Sequence, residues 1–163
     1  MRHFLSIVAI AGCSMYATLA LGAPPDQWTY QRLPEAFATA KASNKPIYLQ
    51  FGFEACGGCK ALYRNAYSDS DLRDAMHKDF VVAYLDTEGT DEPASYTFPD
   101  GSVITHNDLI SQFKAAPTPS WIFLSPKGDR LEGSGRGGRT FPRELMRDAG
   151  KALESMKDVA ASK

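Results

Sequence analysis

An α/β layer fold with a central mixed β-sheet flanked by helices is predicted from three observations. Three apolar runs of strand length, Ile47–Phe51, Phe80–Leu85 and Ser120–Leu124, are continuous rather than alternating, as expected of strands covered on both faces. The stretches between them carry helix formers at helical spacing. The Ser125-Pro126-Lys127-Gly128-Asp129 turn then sends the chain back beside the third run. At 163 residues the chain is one domain's worth, with enough apolar content for a core without staples.

The elements follow in order. Pro24 to Leu33 is an entry segment with a short strand near Trp28–Tyr30. Pro34 suits a first helical turn, and Glu35 to Ala42 continues that N-terminal helix until Asn44-Lys45-Pro46 ends it. After the first strand, Lys60 to Tyr67 reads as helix. Ser68, three places before Asp71, reads as the cap of another helix, whose Leu72, Ala75 and Met76 share a face. Strand, helix, strand of this length implies a parallel pair with a right-handed crossover. The long polar segment Asp86 to Thr105 holds a turn signal, Phe98-Pro99-Asp100-Gly101, which predicts an inserted surface hairpin. Its Glu88, Asp91 and Glu92 lack the alternating ligand spacing of a calcium loop and read as a solvated face. Thr105 caps a helix with Leu109, Ile110 and Phe113 inward. Ala116-Pro117-Thr118-Pro119 is neither helix nor central strand. After the third run an antiparallel strand is expected at Arg130–Ser134. Thr140 opens the last helix, with Leu145, Ala149, Leu153 and Met156 at helical spacing.

Residues 1–23 read as a targeting signal. Arg2 and His3 precede an apolar stretch from Phe4, and small residues (Ala20, Gly22, Ala23) stand before Pro24-Pro25 as at a secretory cleavage site. A membrane anchor would need a longer uninterrupted run than Gly12, Cys13 and Ser14 permit. Ile10-Ala11-Gly12-Cys13 resembles a lipoprotein signal, but Met15–Ala23 stays apolar where a lipoprotein has a polar tether. Simple secretion is favoured, with residues 24–163 as one mature domain. The formal net charge of -1 offers no basic footprint for nucleic acid.

Of the three cysteines, Cys13 leaves with the signal, so Cys56-Gly57-Gly58-Cys59 holds the only thiols of the mature chain. In an oxidising compartment they pair with each other or with another molecule. A structural staple is a poor explanation, because the closed loop is nearly the shortest available and stabilisation grows with loop length. Redox reactivity and metal binding remain. A metal would need further ligands, for which the mature chain offers His77 and His106 but no second cysteine pair.

The order of elements, the Cys-x-x-Cys after an apolar strand, and Thr118-Pro119 before another strand together resemble the thioredoxin superfamily over roughly Glu35 to Lys157. The signal segment and the insertion ending in Asp100-Gly101-Ser102-Val103-Ile104-Thr105 are similar to secreted bacterial thioredoxins, including those of sulfur-oxidation systems. The C-terminal domain of the transmembrane disulfide reductase is a further relative. The resemblance implies a thioredoxin fold with Cys56 at a helix N-terminus, where free N–H groups favour a thiolate. It implies Cys56 as nucleophile toward a partner disulfide and Cys59 as the resolving thiol. It makes Pro119 the candidate cis-proline, and the Thr118 backbone the edge that pairs with an extended substrate segment. Pro117 has no expected role.

Implied partners are a protein disulfide or dithiol and a membrane-bound electron donor; no cofactor, metal or nucleic acid is expected, and a monomer is. Reduction in the periplasm is the expected direction and place. The competing readings are a binding module with a passive disulfide, and a metal-binding protein using the same pair.

Three positions depart from the family pattern. Many thioredoxins carry a buried Asp six residues before the first cysteine. Here that position is Gln50, a neutral amide that cannot act as a base. Water, Glu54 and Lys60 become the candidates for proton handling. Ala55 replaces the common Trp, and Gly57-Gly58 replaces Gly-Pro, which should loosen the first helical turn. Gly133-Ser134-Gly135-Arg136-Gly137-Gly138 matches Gly-x-Gly-x-x-Gly, but no further parallel strand with an acidic residue follows, so dinucleotide binding is rejected. The expectation is instead a flexible loop near the cysteines, with Arg136 and Arg139 flanking a docking groove.

Overall fold

The computed structural model describes residues 24–25, 27–89 and 92–161. The segment read as a targeting signal lies outside the described residues, as does Asp91 of the acidic cluster. Among the described residues no helix is long and apolar enough to cross a membrane.

The elements run α1 (Leu33–Ser43), β1 (Ile47–Gly52), α2 (Gly57–Leu62), α3 (Ser70–Asp79), β2 (Val81–Asp86), β3 (Ser95–Thr97), β4 (Val103–Thr105), α4 (His106–Gln112), β5 (Ser120–Leu124), β6 (Gly135–Arg136) and α5 (Pro142–Ala161). Four strands form one sheet in the order β2-β1-β5-β6. β1 is parallel to β2 and antiparallel to β5, and β6 returns antiparallel along β5. β3 and β4 make the inserted hairpin, with Tyr96 opposite Ile104.

Side-chain alternation along the strands sorts the core into two layers. Ile47, Leu49, Phe51, Val81, Ala83, Leu85, Ile122 and Leu124 face α1, the hairpin and Leu109 and Phe113. Tyr48, Val82, Trp121 and Phe123 face the other way, onto Leu62, Tyr67, Met76 and the Leu145–Ala149 face of α5. Both faces are covered, so every residue of β1 is buried. That is why the strand reads as a continuous apolar run.

Four local expectations need correction. The strand near Trp28–Tyr30 is a single bridge at Gln31, whose N–H donates to Val82 and whose carbonyl accepts from Tyr84. Trp28 instead turns inward, stacked on Tyr67 at 3.8 Å with its indole N–H on the Tyr67 carbonyl. The cap of α3 is Asp69, which accepts from the Leu72 N–H at 2.8 Å, not Ser68; a π turn over Tyr63–Tyr67 extends the preceding helix so that Ser68 is its C-cap. The strand expected at Arg130–Ser134 is one bridge at Arg130, and the paired strand begins at Gly135. The last helix starts at Pro142, two residues after Thr140; its first turn is closed by Glu144, which accepts from the Phe141 N–H at 2.9 Å.

A candidate thiol–disulfide site

β1 ends at Gly52, and the chain turns through Phe53–Ala55 to place Cys56 as the N-cap of α2. The cap acceptor is sulfur: the Cys59 N–H points at Cys56 Sγ, 3.0 Å away. Cys56 and Cys59 are joined by a disulfide, with Cα atoms 5.2 Å apart. Cys56 is 3% exposed and Cys59 is wholly buried, so any incoming group meets Cys56 first.

The loop before β5 packs onto this turn. Both Ala116–Pro117 and Thr118–Pro119 are cis, so Pro117, for which no role was expected, shares the geometry of Pro119. Thr118 Oγ1 lies 3.4 Å from Cys56 Sγ. A disulfide sulfur carries no hydrogen, so the hydroxyl is the donor there. Pro119 is buried and its carbonyl accepts from the Gly137 N–H at 2.9 Å.

The spacer glycines are not equivalent. A Cβ at Gly57 would meet nothing within 4 Å. One at Gly58 would fall 2.8 Å from Pro119 Cδ and 3.3 Å from the Thr118 carbonyl. The proline loop can approach this closely only because Gly58 has no side chain. The expected loosening of the turn is therefore corrected at Gly58, which is clamped.

The glycine-rich stretch does lie beside the cysteines, and it is held rather than flexible. Gly135–Arg136 pairs with Ser120–Trp121, and Asn65 Nδ2 donates to the Gly138 carbonyl at 3.0 Å. The Arg136 guanidinium reaches the carbonyls of Ala116 and Lys114, at 3.2 and 3.3 Å, tying this strand to the proline loop. Arg139 is exposed.

Behind the disulfide sits a buried polar chain. Gln50, 1% exposed, accepts from the Tyr67 hydroxyl through Oε1 and donates from Nε2 to the Tyr63 hydroxyl at 2.9 Å. Tyr67 has one proton and gives it to Gln50, so Tyr48 is the donor in the 2.6 Å contact between Tyr48 and Tyr67. Burial pushes the Tyr48, Tyr63 and Tyr67 phenols upward, which keeps the chain neutral. The candidates for proton handling, Glu54 and Lys60, are both exposed, whereas Cys59 is buried; neither shares its surroundings. The inward-facing tyrosines were missed from sequence because their position depends on strand register. Among the described residues no three His, Cys, Asp or Glu side chains converge as a metal site.

A mixed four-stranded sheet, a Cys-x-x-Cys capping the helix after β1, and a cis-proline against it define a thioredoxin-fold protein. The model of the thioredoxin-like domain matches residues 33–138, and the chain belongs to that family. Spermatogenesis-associated protein 20 of Rattus norvegicus is 31% identical over 64 residues, which is 39% of this chain but only 8% of that protein. A thioredoxin from Thermus thermophilus superposes with a TM-score of 0.57 at 24% identity, covering 74% of this chain and 84% of that one. The DsbH oxidoreductase gives 0.58 at 17% identity, covering 90% and 95%. At these identities the two structures show a shared fold.

Proposed function

We propose that this protein is a thiol–disulfide oxidoreductase acting on disulfides of other proteins through Cys56 and Cys59. The observation that carries this reading is the setting of Cys56 Sγ, which has the Cys59 N–H at 3.0 Å and the Thr118 hydroxyl at 3.4 Å. Both donors at the start of a helix favour a thiolate once the disulfide opens. In the reducing direction the Cys56 thiolate attacks one sulfur of a partner disulfide. The other partner sulfur leaves as a thiolate and takes a proton from water. Cys59, deprotonated, then attacks Cys56 Sγ and displaces the partner's second thiolate. The product is the Cys56–Cys59 disulfide seen here, and two electrons have passed to the partner.

Reduction is the direction we favour, with electrons returned by a membrane-bound dithiol donor, on the family resemblance. The place of action is the periplasm, a proposal that rests on the basic start and apolar stretch of residues 1–23. The partner's extended segment is taken to pair with the Thr118 backbone, beside Pro119. No cofactor enters this chemistry, and a monomer suffices.

The test is trapping. Cys59→Ser leaves Cys56 able to attack but removes the resolving thiol, so mixed disulfides with partner proteins should accumulate and vanish on adding dithiothreitol. Cys56→Ser should trap none. Failure of Cys59→Ser to accumulate any adduct in the native compartment, or full function of Cys56→Ser, would sink the reading in favour of a binding module.

A further inference from the structure

The glycine-rich stretch Gly133–Gly138 matches a nucleotide fingerprint by letter only, which leaves the arginine inside it without a role. The geometry supplies one. The loop from Lys114 to Pro119 presents the Thr118 hydroxyl to Cys56 Sγ at 3.4 Å. Pro117 and Pro119 carry no N–H, so this loop has to be fastened largely through its carbonyls. It also starts in a conformation that its surroundings must hold, because Lys114 is left-handed, with φ 53°.

Arg136 anchors the loop on both sides. Its backbone pairs with Ser120, directly after Pro119. Its side chain returns to the start of the loop, where Nη1 donates to the Ala116 carbonyl at 3.2 Å and Nη2 to the Lys114 carbonyl at 3.3 Å. The adjoining Gly137 N–H donates to the Pro119 carbonyl at 2.9 Å, and Ser120 Oγ donates to that of Ala115. Residues 117–119 are thereby strung between two points fixed to position 136. We infer that Arg136 is a positioning residue, whose guanidinium bridges the Lys114 and Ala116 carbonyls and so keeps the Thr118 hydroxyl on Cys56 Sγ. The inference rests on the oxidoreductase reading, in which Cys56 is the attacking thiol, and adds a residue that acts on the sulfur only through the loop.

The two acceptors explain the choice of arginine. A guanidinium presents its donors in a rigid planar fork, so one side chain meets two carbonyls at once. A lysine ammonium carries the same charge as a point donor on a flexible stem and holds the pair less firmly. Substitution can therefore separate the fork from the charge. With the guanidinium removed, the sheet pairing of position 136 and the anchors at Ala115 and Pro119 remain. Thr118 is then loosened, not released.

The experiment titrates Cys56 alone. In the full chain with Cys13→Ala and Cys59→Ala, Cys56 is the single remaining thiol. Its thiolate fraction is followed as the rate of alkylation by iodoacetamide against pH. The exposed charges of the turn and the loop, Glu54, Lys60 and Lys114, are common to all variants and cancel in the comparison. Thr118→Val, which removes the hydroxyl, should lower the thiolate fraction about tenfold at a given pH, moving the midpoint up by about one unit. Arg136→Met, which keeps the stem but no donor, should lower it about threefold, a move of about half a unit. Arg136→Lys should fall between Arg136→Met and the starting chain. In the Thr118→Val background, Arg136→Met should add little, because the contact it positions is already gone. An unmoved midpoint in Arg136→Met overturns the inference, as does an equal shift in both backgrounds. So does an Arg136→Lys midpoint that stays in place, since charge and not the fork would then be acting. Should Arg136→Met or Thr118→Val not fold, the Arg136→Lys midpoint decides alone. The titration needs no turnover, so a chain that exchanges no disulfides would defeat the oxidoreductase reading while leaving this result readable.

Discussion

The clamp between the spacer and the proline loop makes opposite predictions for two adjacent glycines. Gly57 and Gly58 both lie in the first turn of α2, and replacing either with Ala gains helix propensity worth up to about 1 kcal/mol. At Gly57 nothing opposes that gain, since the new methyl would meet nothing within 4 Å. At Gly58 the methyl would stand 2.8 Å from Pro119 Cδ and 3.3 Å from the Thr118 carbonyl. These are a proline ring and a backbone oxygen, not the end of a flexible side chain. The loop cannot simply back away, because the Pro119 carbonyl is held by Gly137 N–H and the Ala116 carbonyl by Arg136. Overpacking of this kind costs roughly 1–3 kcal/mol. Gly57→Ala should therefore be neutral or stabilising, and Gly58→Ala destabilising by about 1 kcal/mol. Because propensity is common to both, their difference of about 1–3 kcal/mol isolates the contact. Denaturant unfolding of the oxidised protein measures it. If Gly58→Ala proves as stable as Gly57→Ala, the close approach of the proline loop is wrong. Gly58→Ala in the Cys59→Ser background should also trap less partner, since the displaced residue is Thr118.

Two titrating groups away from the disulfide should set the pH dependence of stability. Burial raises the Asp148 carboxyl above its ordinary 3.8, with the Trp121 indole and then Arg147 pulling the other way, although Trp121 Nε1 meets no partner at hydrogen-bond geometry. The folded state then holds that proton more tightly, so stability falls as pH rises from 3.8 through the raised value and is level above it. Asp148→Asn should raise the melting temperature at neutral pH and lose that advantage below 3.8; an equal effect at both would contradict the assignment. His77 is lowered from 6.5, by burial first and the Arg73 charge second. The unfolded chain then binds the proton more readily, so stability should drop as pH falls below 6.5, and His77→Gln should flatten that limb in pH-dependent unfolding curves.

What could be read from the chain, and what could not, divides along physical lines. β1, β2 and β5 were legible because strands covered on both faces carry no polar alternation, and each run ends at a turn signal or proline. The hairpin and the Thr105 cap were legible because their chemistry is local: Thr105 accepts from the Asp108 N–H three residues on. The cap of α3 was misplaced by one residue, since Ser68 and Asp69 both offer an oxygen. What decided between them is a π turn, one extra residue per turn that leaves no mark on propensity. β6 was misplaced because a strand of Gly135 and Arg136 has poor intrinsic β propensity. It forms because β5 offers an edge, and glycine is needed there: a Cβ at 135 would fall 2.3 Å from the Trp121 ring. Cys56, Cys59, Thr118 and Pro119 converge as the motif implied. Glu54 and Lys60 are exposed while Cys59 is buried, and the tyrosines around Gln50 could not be found without the register that aligns β1 with its neighbours.

That register also shows what the amide at position 50 does. A carboxylate there would be buried within a ring of phenols already raised by burial, and an ionised group in that place would raise them further. Gln50 fits because it has both an acceptor and a donor, one for Tyr67 and one for Tyr63, so each of its contacts is satisfied without charge. The same chain continues through Tyr48, and the Tyr67 carbonyl takes the indole N–H of Trp28. Position 50 has thereby become part of the packing between β1 and the π turn. A neutral network of this kind ties the π turn that follows the Cys59 helix to β1.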